Sequence, residues 1–348
     1  MGSPTGMKQR CWAHDYCAPS FYMVTIVTEP RRNCLSEVVV QGAEMHEQGA
    51  GMQDQGAAPA TGPATGPAAP ACLKLFPMGE TVLEVWRRTT RIYPGVEACE
   101  CVAMPDHFHG ILWVKERLPR HVGHIIKAFK RVSEKECRSR GLLPPTALGS
   151  VTGAAQAPTS LWEEGYHDSI LLRRGQLKAM VNYIADNPRR LALKRANPDL
   201  FTVARDLTVA QGRVCPAFGN LFLLDYPIKR QVRVSRSILP ESLTNETEEL
   251  LYAAKHGTVL VSPCISPGEK EIARAALEAG LPLIVILANG FSPMYKPSGQ
   301  YFDACANGRL LMLAPFPYHR EKTTITREQC LILNGWAKDV MNSREIVT

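Results

Sequence analysis

Two histidines sit two residues apart, His107 and His109, inside MPDHFHGILWV (104–114). A tyrosine and an asparagine sit four apart, Tyr183 and Asn187, inside VNYIADNP (181–188). On a strand, side chains at i and i+2 leave the same face, so the two imidazoles share one side and can share a metal ion. On a helix, residues four apart share a face. A metal held by two imidazoles and an amide oxygen polarises a phosphodiester, whose charge otherwise repels nucleophiles. A phenol, with an ordinary pKa of about 10, needs such help to attack. Attack would leave a covalent phosphotyrosine and a free hydroxyl, conserving the bond energy for rejoining. Nitrogen and oxygen ligands with open positions suit Mg²⁺ or Mn²⁺. Taken singly, each motif is a weak signal. An isolated H-x-H is usually a chance pair, and a lone helical Tyr is usually a half-buried ring with its hydroxyl in water.

Elements that would position these groups can be read from periodicity. FYMVTIVT (21–28) alternates and is β-branched, which predicts a strand. Residues 79–91 predict a helix with Val82, Val85 and Trp86 on one face. VEACECVAM (96–104) and FHGILWV (108–114) predict a hairpin turning at Pro105-Asp106. Residues 120–138 predict an amphipathic helix with Val122, Ile125, Ile126 and Phe129 inward. Ser169–Leu172 predicts a strand, and 175–187 a helix that stops at Pro188. The expected product is an α+β domain over 20–205, an antiparallel sheet with helices on one face. Residues 1–19 are expected as a tail, 42–71 as a disordered Ala/Gly/Pro insertion, and Leu143–Ser160 as a second loop of similar composition.

With these pieces in order, the chain resembles the REP-associated tyrosine transposases, a single-tyrosine family with a His-hydrophobic-His (HUH) motif. MPDHFHGILWV is similar to its metal-binding strand. LWEEGYHDSILL (161–172) followed by NYIADNP is similar to its later segments. The resemblance covers roughly 20–205. It implies a ferredoxin-like fold, single-stranded DNA with hairpins as substrate, and a 5′-phosphotyrosine intermediate. It implies Tyr183 as nucleophile, His107 and His109 as metal ligands, and Asn187 as the third ligand. Asp106 stands where Asn is common. His167 and Asp168, before the tyrosine helix, are read with equal weight as orienting a phosphate or metal ligand and as a surface pair. His121 and His124 read as solvated helix residues.

Charge placement supports a phosphate-rich partner. The whole chain carries +7, from 40 Lys and Arg against 33 Asp and Glu, a mild excess. Segment 115–140 holds nine Lys or Arg against three Glu, and 173–205 holds eight against two Asp. Both flank the proposed centre in sequence, so Lys127, Lys130, Arg131, Lys135, Arg173, Arg174, Arg189 and Arg190 are expected to bind DNA phosphates. Trp113, Trp162 and Tyr166 are better read as core than as base-stacking residues.

From about 230 to 348 strands and helices alternate: RQVRVSRSI, a helix at 244–256 capped by Thr244 or Asn245, GTVLVSP, EKEIARAALEAG, LPLIVILA, GRLLMLAP, and TREQCLILNGWAKDV. This predicts an α/β domain with a parallel sheet after a linker at 206–229. The region is similar to the Rossmann-like domain of the DNA-processing protein A family. Residues 262–268 (SPCISPG) replace that family's Gly-rich turn, and Thr326-Arg327-Glu328 its Arg-Asn-Arg segment. Proline removes amide donors that a phosphate cradle needs.

Eleven scattered Cys, without C-x-x-C and behind a start lacking an apolar leader, suggest reduced thiols and a cytoplasmic, nucleoid-associated protein. No apolar run approaches the roughly 20 residues that span a bilayer. The leading expectation is a DNA transposase. A replication-initiator or relaxase-type nickase, a metal-dependent hydrolase unrelated to DNA, and a non-catalytic DNA-binding protein fused to a nucleotide-sensing domain are the rivals.

Overall fold

The computed structural model describes residues 13–40, 71–144, 160–297, 299–321 and 323–343. The expected insertion at 42–71, apart from Ala71, which begins a strand, most of the loop at 143–160 and most of the N-terminal tail lie outside the described residues. The chain is a mixed α/β protein of two compact units that divide between Ala192 and Leu193.

In the first unit β1 (Ser20–Val27) lies between β5 (His107–Val114) and β6 (His167–Ile170), and β4 (Val96–Met104) pairs with the far edge of β5. All three pairings are antiparallel. A separate two-stranded ribbon joins β2 (Ser36–Val40) to β3 (Ala71–Leu75). Alternation sorts the side chains of the main sheet. Tyr22, Val24 and Ile26 of β1, with Phe108 and Leu112 of β5, enter a core with α1 (Pro77–Ile92) and α2 (Gly123–Ser139). Trp86 of α1 is fully buried there, edge-on to Phe108 and Phe129.

Trp86 also leaves no room above Gly110. A Cβ at that position would meet the indole at 2.5 Å. Gly110→Ala is therefore expected to cost about 1–3 kcal/mol through forced repacking. Thermal unfolding reads this, and an unchanged Tm would refute it.

The other sheet face corrects an expectation. Helices were expected on one face, but α3 (Gln176–Ala196) covers the opposite one. Its stripe of Leu177, Val181 and Ile184 packs on Met23, Ile111 and Leu171. The reason is that both faces of β1 and β5 carry apolar residues, so both need cover. The expected stop at Pro188 is also wrong, since α3 runs on to Ala196 with Pro188 inside it. Proline forfeits one backbone bond, but residues 189–196 (RRLALKRA) are good helix formers. Asp186 pairs with Arg189 at 2.6 Å and Arg190 at 3.8 Å across the gap.

The second unit is a six-stranded mixed sheet, ordered β7 (Val203–Ala210), β8 (Arg213–Gly219), β12 (Leu310–Leu313), β11 (Leu283–Ile286), β10 (Val259–Ser262), β9 (Lys229–Gln231). β9 to β12 are parallel, and β8 and β7 extend the sheet antiparallel. Residues 203–219 were expected to close the first domain and begin a linker. Instead they form these two strands, because Cys215, Ala217 and Phe218 are buried and β8 completes the edge of β12. Helices α4 (Pro240–Lys255), α5 (Pro267–Glu278) and α6 (Gln300–Ala306) pack on one face, and α7 (Arg327–Asn342) on the other. α4 starts ahead of the expected Thr244 cap, with Pro240 in its first turn, where a missing N–H costs nothing. No helix among the described residues is long and apolar enough to cross a membrane.

Candidate active site

Odd-numbered residues of β5 face α3. His107 and His109 stand side by side there, ring centroids 4.7 Å apart and planes 78° to each other. The β1 partners on the same face are Val27 and Thr25. Each imidazole is fixed through Nδ1. His107 Nδ1–H donates to Asp106 Oδ1 at 2.6 Å, and His109 Nδ1 meets Thr25 Oγ1 at 2.8 Å. The hydrogen bond from His107 is the main reason that the Asp106 carboxyl titrates below its ordinary value, so it stays an acceptor. Because the Asp106 carboxylate can only accept, Nδ1 of His107 is the donor and Nε2 of that ring carries the lone pair; a Thr25 hydroxyl that accepts from Nδ1 would leave His109 the same way. That is the arrangement by which outer oxygen partners orient metal-binding imidazoles.

Tyr183 arrives from α3. Its ring lies 5.8 Å from that of His109, centroid to centroid. The Arg190 guanidinium lies 5.7 Å from the Tyr183 ring centroid, with that side chain only 11% exposed. Asn187 is one turn further along α3, buried, and donates Nδ2–H to the Tyr183 carbonyl at 2.8 Å. The fold thus brings His107, His109 and Tyr183 together, with Asn187 one turn further along the helix that carries the tyrosine.

The expected DNA-binding residues divide. Lys127, Arg131 and Lys135 are exposed along one side of α2, but α2 lies on the sheet face opposite the histidines. Although both flank the proposed centre in sequence, the two basic tracts do not bracket it on one surface. Lys130 is spent internally: its half-buried ammonium donates to the carbonyls of Glu163 at 2.5 Å and Gly165 at 2.9 Å, and burial lowers its pKa. Arg173 and Arg174 are exposed between β6 and α3. Arg189 is bound to Asp186. Trp162 is core, donating to Ser133 Oγ at 3.0 Å, whereas Trp113 is 37% exposed and stacked on Phe21.

Thr25 and Asp106 are the residues that sequence reasoning missed. Nothing in a lone Thr within an alternating strand marks it as a partner of a residue 84 positions away. Asp106 had a signal, adjacency to the His pair, but was read as a turn residue. Thr25→Val keeps the shape and removes the oxygen. It is expected to weaken Mn²⁺ binding by about 10–100-fold, with Thr25→Ser near wild type. Calorimetric titration with Mn²⁺ checks this, and superimposable isotherms for Thr25→Val and wild type would refute it.

In the second unit the turn after β10 is filled from within. The buried Glu269 carboxylate accepts from the amides of Ile265 at 2.7 Å, Ser266 at 3.3 Å and Val234 at 3.4 Å. A carboxylate therefore takes the amides that a phosphate would use. Beside it lies a cavity of about 660 Å³ with Arg233, Arg236 and Arg327 in its lining.

No family model matches the chain, and no curated protein matches it. Among solved structures, a REP-associated tyrosine transposase bound to a REP hairpin is similar at 13% identity and a TM-score of 0.28, over 53% of this chain and 74% of that one. A structure from Deinococcus radiodurans assigned as a transposase is 14% identical with a TM-score of 0.27, over 52% of this chain and 97% of the other. DNA processing protein A from Helicobacter pylori, described for its single-stranded DNA binding, is 14% identical with a TM-score of 0.31, over 42% and 71%. These likenesses are distant and at the level of fold.

Proposed function

We propose that the protein is a DNA transposase that cuts and rejoins single-stranded, hairpin-containing DNA through a covalent bond from Tyr183 to a 5′-phosphate. The observation that carries this is the convergence of one phenol and two Nδ1-anchored imidazoles on one sheet face. In this reading the first unit is ferredoxin-like and the second Rossmann-like.

His107 and His109 would hold a Mg²⁺ or Mn²⁺ ion through Nε2, and Asn187 would supply an amide oxygen. Two imidazoles and an amide oxygen would be a nitrogen and oxygen donor set that leaves open positions, which suits such an ion; among the described residues no group of three or more His, Cys, Asp or Glu is placed to hold a metal. When bound, the ion supplies positive charge to the scissile phosphate. Tyr183 forms the new O–P bond, its hydroxyl proton passes to solvent, and the 3′ oxygen leaves and is protonated. Arg190 places a cation against the tyrosine ring and beside the phosphate it attacks. Arg173 and Arg174 hold the strand on the same side. Lys127, Arg131 and Lys135 form a separate basic face, suited to the folded stem. The arginine-lined cavity of the second unit is a further contact for phosphates.

Labelled single-stranded hairpin DNA with Mn²⁺ tests the reading. A denaturant-resistant protein–DNA adduct, lost on chelation, is the expected result. A nickase of the replication-initiator or relaxase type would give the same adduct but would be expected to reseal the strand it nicked, whereas a transposase joins the cut end to a new target. A metal-dependent hydrolase would give cleavage without an adduct, and a binding protein neither.

A further inference from the structure

Edge strand β6 carries a third imidazole to the face of the His pair. Thr25 is paired with His109 on one side and with His167 on the other, so His109, Thr25 and His167 form one row across β5, β1 and β6. Directly paired residues point to the same side of a sheet. Asp168, paired with Val24, points to the other side and does not neutralise its neighbour. His167 is exposed, and among the described residues it has no hydrogen-bond or ion-pair partner. It is held in place all the same. The carbonyls of Glu163 and Gly165, just before β6, are clamped by the Lys130 ammonium.

Two strand spacings separate the backbones of His109 and His167, roughly 10 Å. Among the described residues His167 does not join the pair in a group of three placed to hold one ion, and that separation sets it beside them. The separation is a reach suited to the next phosphate along a strand. The following link adds Arg173 and Arg174, both exposed, at the end of β6.

We propose that His167 is a strand-positioning residue that donates a ring N–H to a non-bridging oxygen of the phosphodiester next to the scissile one. This rests on the transposase reading and gives it a direction: the substrate runs across the strands, from β5 over β1 to β6. The third imidazole is thereby a substrate contact and not a metal ligand.

The test uses the full chain and three hairpin DNAs, one unmodified and two with a single uncharged methylphosphonate at the linkage adjacent to the cleavage site, one on each side. His167→Ala is expected to raise the DNA concentration for half-maximal adduct formation about 10-fold, with the rate at saturation changed less than 3-fold. His167→Gln, which keeps an N–H donor, should recover most of that loss. The methylphosphonate should weaken wild type about as much as His167→Ala does, and add nothing further to the variant. Mn²⁺ affinity should be the same in variant and wild type. Additive effects on both sides of the cleavage site, or a change confined to the saturating rate or to Mn²⁺ affinity, would overturn the assignment. Failure of wild type to form any adduct would instead strike at the transposase reading itself.

Discussion

Tyr183→Phe should leave no detectable protein–DNA adduct, a loss on the order of 10⁴-fold or more, while strand binding stays within about 2-fold of wild type. The substitution removes one oxygen. The ring remains to pack with Ile184 and Val181 against Met23 and Ile111, so the contact of α3 with the sheet is preserved. Arg190 keeps its position over the ring face, since that attraction does not need the hydroxyl. Binding is expected to rest on Arg173, Arg174 and the cations of α2, which are exposed and untouched by the substitution. The comparison is made by denaturing gel with end-labelled hairpin DNA, beside a filter-binding titration. Adduct persisting in Tyr183→Phe would assign the nucleophile to another residue. Loss of binding in parallel with loss of adduct would show that the variant damages the fold and not the chemistry.

The second large effect concerns the imidazoles. His107→Ala and His109→Ala should each reduce cleavage by about 10²–10⁴-fold and weaken Mn²⁺ binding, and the double variant should be little worse than either alone. Near-complete non-additivity is expected because a single remaining imidazole cannot hold the ion, so the second substitution removes nothing further. The two singles should differ in stability. His109 is 6% exposed and tied to Thr25, so its removal leaves a cavity between β1, β5 and α3. His107 is 22% exposed at the rim, and its removal strands only the Asp106 carboxylate, which also faces Arg31 at 3.5 Å. His109→Ala is thus expected to lower Tm by more than His107→Ala. Chelation of wild type should match the activity of the double variant. Cleavage that survives both the double variant and chelation would end the metal role.

Much of the local order follows from the sequence. The period-2 pattern of FYMVTIVT and HFHGILWV places His107 and His109 on one face and Phe108 and Leu112 on the other, because side chains alternate whatever the strand packs against. The same holds for the amphipathic stripe of α2 and for the run of short apolar strands and helices after residue 230. Helix spacing alone puts Tyr183 and Asn187 on one side of α3.

The sequence did not decide which layers meet. Whether α3 lies over the histidines or with α1 and α2 depends on which apolar face of the sheet is left uncovered, a matter of long-range burial. That choice brings the phenol within 5.8 Å of an imidazole and puts the sheet between it and the cations of α2. Lys130 looked like a phosphate contact because charge was visible and its carbonyl partners 33 and 35 residues away were not. The strands at 203–219 were missed because their burial comes from β12, about a hundred residues later. Local spacing fixed what each residue could offer, since covalent geometry sets periodicity. Tertiary packing fixed what each residue faces, since buried apolar surface and paired polar groups are satisfied only between distant segments.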